Sequence, residues 1–225
     1  HPYRLNHDEA LSEMAKLGRD DLVKQHAAVV NPDNMRIVVV TSMPANKVVS
    51  DLDKAFGDIK SHPLTHVQPT APKFDKDHAF TLLDRELPTA YIRIKTNAPG
   101  VRDENSVAMR LMYEILSEEL GDEIRTKRSL SYAVHAFLIE YTLGVGVINA
   151  STSKPKETLA AIKEVIQNIK QKDYTEEELD EYKRVFATAY YLTQETHASL
   201  AGTLGSADLF YGDVNEYYLS LIHIS

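Results

Sequence analysis

The chain has 225 residues, with 33 acidic against 25 basic side chains, 9 histidines, no Cys and no Trp. That length can bury one large or two small cores, and a net charge of −8 argues against a nucleic-acid surface of clustered Lys and Arg. No apolar run nears the ~18 residues of a membrane span, and the lack of Cys removes disulfides, thiolate zinc sites and cysteine nucleophiles while leaving the compartment open.

The opening His1-Pro2-Tyr3 carries neither a start Met nor a signal pattern, and Leu221 to Ser225 closes without capping or turn chemistry, so the sequence reads as a piece of something longer. After a polar lead-in, Arg19-Asp20-Asp21 opens a helix with its acidic residues at the positive end of the macrodipole. Leu22, His26 and Val29 share one side of it, and Asn31-Pro32-Asp33-Asn34 turns the chain. Met35 to Thr41 predicts a strand buried on both faces. Pro44 suits a first helical turn, and Val48, Leu52, Ala55 and Phe56 repeat at helical spacing up to Gly57. Residues 19–58 therefore predict a helix–strand–helix unit whose single strand needs a sheet built elsewhere.

Pro63, Pro69 and Pro72 mark residues 61–77 as a linker. Strands are predicted over Phe80–Leu83 and Ala90–Lys95, the second with Ile92 and Ile94 on one side and Arg93 and Lys95 on the other. Asp103 is positioned to cap a helix carrying Val107, Leu111, Ile115 and Leu116, which ends before Gly121. A helical turn from Asp122 to Lys127 leads into two alternating runs, Ser131–Tyr141 and Leu143–Ser151, that pair as a hairpin around Thr142. Lys154-Pro155 starts the next helix, Thr175 to Glu178 forms a capping box for another, and a last helix spans roughly His197 to Phe210. The sum is an α+β layer: a mainly antiparallel sheet with helices packed on one face.

Catalytic groups are scarce. His62 and His66 have helical i, i+4 spacing but flank Pro63 and enclose no carboxylate, and His26, His135 and His197 lack partners at ligand spacing, so no metal site is predicted. No serine occupies a nucleophile elbow, and Gly144-Val145-Gly146 lies inside a strand pattern rather than before a helix. One stretch stands apart. A helical turn carrying Arg125 runs tightly into a strand carrying Tyr132. A guanidinium fork and a phenol O–H at such a junction can hold a peptide carbonyl or a developing oxyanion, or can simply be an exposed Arg and a half-buried Tyr on an edge strand.

The segment Glu123-Ile124-Arg125-Thr126-Lys127-Arg128-Ser129-Leu130-Ser131-Tyr132-Ala133-Val134 resembles the E-L-R-x-x-x-G-L-x-Y-x-V stretch of the pitrilysin/insulinase zinc peptidases. His1-Pro2-Tyr3, the Arg19 to Leu22 helix start, Asn31 to Met35, Ala55-Phe56-Gly57 and Tyr174 to Leu179 occur in the same order as in that family, so the resemblance runs from about residue 1 to about residue 215. It implies two homologous domains closing like a clamshell over a peptide. The first carries an inverted H-x-x-E-H zinc motif and a downstream Glu; the second holds no zinc and contributes an Arg and a Tyr to the substrate. By resemblance those roles fall on Arg125 and Tyr132.

No H-x-x-E-H occurs in this chain. The resemblance then makes residues 1–60 the remnant of a zinc-bearing first domain, 61–77 the interdomain linker, and 78–225 a second, non-zinc, processing-peptidase-like domain. No catalytic residue and no cofactor are expected here; zinc is expected in the first-domain portion or in a partner subunit. The implied function is the inactive, substrate-holding part of a zinc-dependent metalloendopeptidase acting on peptides or unfolded segments. A catalytically dead scaffold subunit of the same fold and a peptide-binding module using a strand edge are the alternatives. The expected partners are a peptide substrate, the zinc-bearing domain or subunit, and a second copy paired through the apolar 35–42 strand, with no nucleic acid and no membrane; an extracytoplasmic location is favoured over the cytoplasm. Ser129 stands where the family pattern has Gly, and if that position takes a positive φ the serine costs about 1 kcal/mol.

Overall fold

Alternating apolar residues in three segments build one sheet. The computed structural model describes residues 7–63, 70 and 86–215. Ile92 and Ile94 of β1 (Ala90–Ala98), Val134 and Ala136 of β2 (Ala133–Ile139), and Ile148 and Ala150 of β3 (Gly144–Thr152) lie on one face. The order is β1-β3-β2, antiparallel throughout, so the predicted hairpin forms and its second strand is central. Helix α4 (Ser106–Leu120) packs on this face through Tyr113, Leu116 and Leu120, and α5 (Pro155–Gln171) through Ala161, Ile162 and Val165. Leu120, Ile124 and Ile162 are wholly buried; full burial of each such side chain contributes roughly 1.5–3 kcal/mol. This is the α+β layer the sequence predicts.

Polar contacts fix the layers in register. The Ala136 N–H on edge strand β2 donates to Ser117 Oγ of α4 at 3.1 Å. Gly146 lies beneath α4, where a Cβ would run into the Tyr113 hydroxyl, itself 2.9 Å from Thr96 Oγ1. The close approach of helix and strand therefore requires glycine there. Asn105 is the residue before α4, and Asp103 Oδ1 accepts its N–H at 2.9 Å, so the predicted Asp acts two residues before the capping position. Helix α6 (Glu176–Leu192) opens on the predicted capping box: Thr175 Oγ1 accepts the Glu178 N–H at 3.3 Å, and Glu178 Oε2 accepts the Thr175 N–H at 2.9 Å.

Packing divides the chain into two units, His1–Thr70 with Gln194–Val214, and Ala71–Thr193 with Asn215–Ser225. The second holds the sheet. The first holds α1 (His7–Met14), α2 (Arg19–Val29), a short 3-10 turn at Pro32–Asn34, α3 (Ala45–Phe56) and α7 (His197–Tyr211). Helix α7 thus groups with the N-terminal helices, whereas chain order alone places it with the sheet.

The strand expected over Met35–Thr41 is not formed: these residues carry no strand assignment, and residues 36–42 make no backbone–backbone hydrogen bond among the described residues. One side of the segment still finds cover. Arg36 Nε donates to Asp208 Oδ2 of α7 at 2.8 Å, Val38 lies against Gly205, and Val38 and Val40 are half-buried. Ile37 and Val39 point away and are each 46% exposed. Apolar alternation specifies the side-chain pattern of a strand, but a ladder needs a second backbone, and the described residues supply none. Most of the 61–77 linker, the strand over Phe80–Leu83 and the closing Leu221 to Ser225 lie outside the described residues.

Candidate functional site

Helix α4 does not stop at Gly121. That residue keeps helical backbone angles, φ −61° and ψ −47°, and the chain runs on as a wide π turn from Gly121 to Lys127. Burial of Leu120 and Ile124 on either side of Gly121 carries the helix through a residue that sequence reads as a stop. The turn closes with Arg128 N–H donating to Glu123 O at 3.2 Å and Leu130 N–H donating to Ile124 O at 2.8 Å. Ser129 makes the exit with φ +50°, one of two non-glycine residues at positive φ among the described residues. Glycine is the residue suited to that backbone, which accounts for the Gly of the family pattern at this position.

The turn carries three cations, and they differ in what they touch. Lys127 Nζ sits 2.9 Å from Asp122 and 3.2 Å from Glu123, carboxylates that raise its pKa above the ordinary lysine value. Arg128 donates through Nε to Glu123 at 2.8 Å and through Nη2 to Glu164 of α5 at 2.9 Å. Arg128, with Lys127, holds the Glu123 carboxyl below the usual carboxylate range. Arg125 is exposed and makes no ion pair or hydrogen bond among the described residues. Tyr132, just before β2, is 90% exposed, and its hydroxyl has no partner among the described residues.

Arg125 lines a cleft of about 730 Å³ within the sheet-bearing unit. Tyr113, Ser117 and Gly121 form one wall, Val134, Phe137 and Leu138 of β2 the floor, and Tyr182, Phe186 and Tyr190 of α6 the other wall. Tyr132 is not among the residues that line it. Burial raises the Tyr182 hydroxyl above the ordinary tyrosine value and keeps it a neutral donor. Arg110, also in the cleft, is held by Glu140 through a 2.5 Å contact from its Nε. The aromatic wall of α6 reads in the sequence as a helix face at four-residue spacing; only packing against α4, with β2 alongside, turns it into a cleft.

Among the described residues no group of three or more His, Asp or Glu is arranged to hold a metal ion. The His62 carbonyl accepts the Asn31 Nδ2–H at 2.7 Å, and His135 lies on the sheet beside Asn149. No helix among the described residues is long and apolar enough to cross a membrane.

Comparison with known proteins agrees with this picture. Residues 16–186 match the family described as the peptidase M16 inactive domain. No curated protein matches. A peptidase M16 inactive domain from Pseudomonas fluorescens superposes with TM-score 0.77 at 19% identity, covering 94% of this chain and 52% of that one. A protease from Helicobacter pylori gives 0.76 at 16% identity, with 94% and 55% covered. The periplasmic protease PqqL from Escherichia coli gives 0.63 at 20% identity, with 83% and 22% covered. The chain spans about half the length of the first two structures. At these identities the superpositions establish the fold, while the family match runs along most of the sequence. The chain belongs to the peptidase M16 inactive-domain family, the non-zinc portion of pitrilysin-type zinc proteases.

Proposed function

We propose that this chain is the substrate-holding, catalytically inactive portion of a zinc-dependent metalloendopeptidase, gripping a peptide or unfolded segment against a zinc-bearing domain or subunit. The observation that carries the reading is that Arg125 and Tyr132 are exposed and make no hydrogen bond or ion pair among the described residues, while Lys127 and Arg128 beside them are paired. A guanidinium and a phenol left in that state can donate to a peptide carbonyl or its developing oxyanion. A scaffold subunit has no use for two such groups. Alone, the chain does not hydrolyse peptides. It takes up no stoichiometric zinc when purified without a His tag, because the ligands belong to the zinc-bearing part. The periplasmic protease among the similar folds supports an extracytoplasmic location.

The test uses the assembled enzyme. Tyr132→Phe is expected to lower kcat more than it raises KM, by roughly 2–4 kcal/mol if the hydroxyl serves the oxyanion. Arg125→Gln is expected to raise KM. Unchanged kinetics for both variants would overturn the substrate-holding role. A second copy is the other partner proposed, joined as a two-fold dimer through or beside residues 35–42. The lack of backbone–backbone hydrogen bonds over residues 36–42 among the described residues, and the exposed Ile37 and Val39, support it.

A further inference from the structure

On the sheet face opposite α4 and α5, one residue from each strand falls into a single row: Arg93 is paired in register with Asn149, and Asn149 with His135. Arg93 Nε donates to Asn149 Oδ1 at 2.8 Å, and Asn149 Nδ2 lies 3.4 Å from His135 Nε2. Because arginine can only donate, it fixes the Asn149 amide with its oxygen toward Arg93 and its NH₂ toward the imidazole. His135 Nε2 is then the acceptor, and the ring stacks on Phe137 at 5.7 Å. The two terminal amino groups of the Arg93 guanidinium have no partner among the described residues.

The charge on this sheet is opposite to that of the molecule. The three strands contain Arg93, Lys95 and His135 and not one Asp or Glu, in a chain whose net charge is −8. Two aromatic rings flank the row, Tyr91 at 76% exposure on β1 and Phe137 at 37% on β2. We propose that the Arg93–Asn149–His135 row is a binding subsite for an acidic polypeptide segment. A carboxylate side chain would be taken by the guanidinium fork, and neighbouring apolar residues would lie on Tyr91 and Phe137. A carboxylate suits the planar pair of free donors. Asn149 is a positioning residue, holding the guanidinium in place. One guanidinium with two terminal donors open among the described residues and two flanking rings fit a peptide better than a nucleic acid, which needs a run of phosphate contacts. The subsite stands independently of Arg125 and Tyr132.

The full 225-residue chain tests this with a dye-labelled, unstructured peptide alternating Asp with Leu and Phe, read by fluorescence anisotropy. Changing its Asp residues to Asn should weaken binding about tenfold or more, the weight of a charge-assisted pair. Arg93→Gln should produce a similar loss. Asn149→Asp should do at least as much, by pairing the guanidinium internally, and thermal melts of both variants should match the parent. Lys163→Gln, which removes an equal charge from an exposed position on α5, should leave binding unchanged. Equal weakening by Lys163→Gln and Arg93→Gln, equal affinity for the Asp and Asn peptides, preference for single-stranded DNA, or no binding at all would each overturn the proposal.

Discussion

At the scale of single residues, Ser129 sets the tension of the site. Its φ of +50° places an L side chain where glycine is comfortable, at the joint that hands the chain from the π turn to β2. Ser129→Gly is therefore expected to raise the unfolding free energy by about 1 kcal/mol in urea titrations; no change would mean that the joint relaxes around serine at no cost. The joint was legible in the sequence as a departure from the family pattern, although its backbone angle was not. The state of the neighbouring cations was less legible still. Arg125, Lys127 and Arg128 look equivalent in the sequence. Arg128 finds Glu164 only because α5 folds back 36 residues later, whereas Arg125 makes no ion pair among the described residues although Glu118 and Asp122 line the same cleft.

At the scale of elements, some self-contained chemistry is legible in the sequence, although the Asp103 cap falls outside the capping position and the Gly121 stop is overridden. The Thr175–Glu178 box needs four consecutive residues and forms as expected, and Thr175→Ala should destabilise the chain by about 1 kcal/mol. The same box predicts a pH response. The Thr175 backbone N–H and hydroxyl hold the Glu178 carboxyl below its ordinary value, as Arg128 holds Glu123. A carboxyl whose folded pKa is depressed adds stability above its unfolded pKa and loses it as pH falls through the folded value. The urea midpoint should thus fall as pH drops below about 4.5, and the drop should be smaller in the Glu178→Gln, Glu123→Gln double variant. An identical drop would place the acid sensitivity elsewhere. Elements that depend on distant partners were misread in both directions. Burial overrode the glycine stop in α4, and Met35–Thr41 finds no ladder among the described residues.

At the scale of the whole molecule, the sheet and its helices were legible as a layer because their pattern repeats along the chain, whereas the grouping of α7 with the N-terminal helices was not. Helix α7 has an almost uniform distribution of small and apolar residues, so its sequence gives no direction in which to bury them. The exposed Ile37 and Val39 lead to a prediction about assembly. Sedimentation at micromolar concentration should show a reversible dimer, and Ile37→Asp should weaken it about tenfold or more. A monomer at every concentration would remove the 35–42 segment as the interface.

The Arg36–Asp208 contact joins residues 172 positions apart. A ribosome adds on the order of 5–20 residues per second, so about 10–30 s separate the emergence of Arg36 from that of its partner. Throughout that interval the Ile37–Val40 run is outside the exit tunnel without the helix that later covers one side of it. The order of synthesis, rather than the finished fold, then sets when this segment is most open to chaperones and to neighbouring nascent chains. Placing α7 ahead of residue 35 in the order of synthesis would close that window.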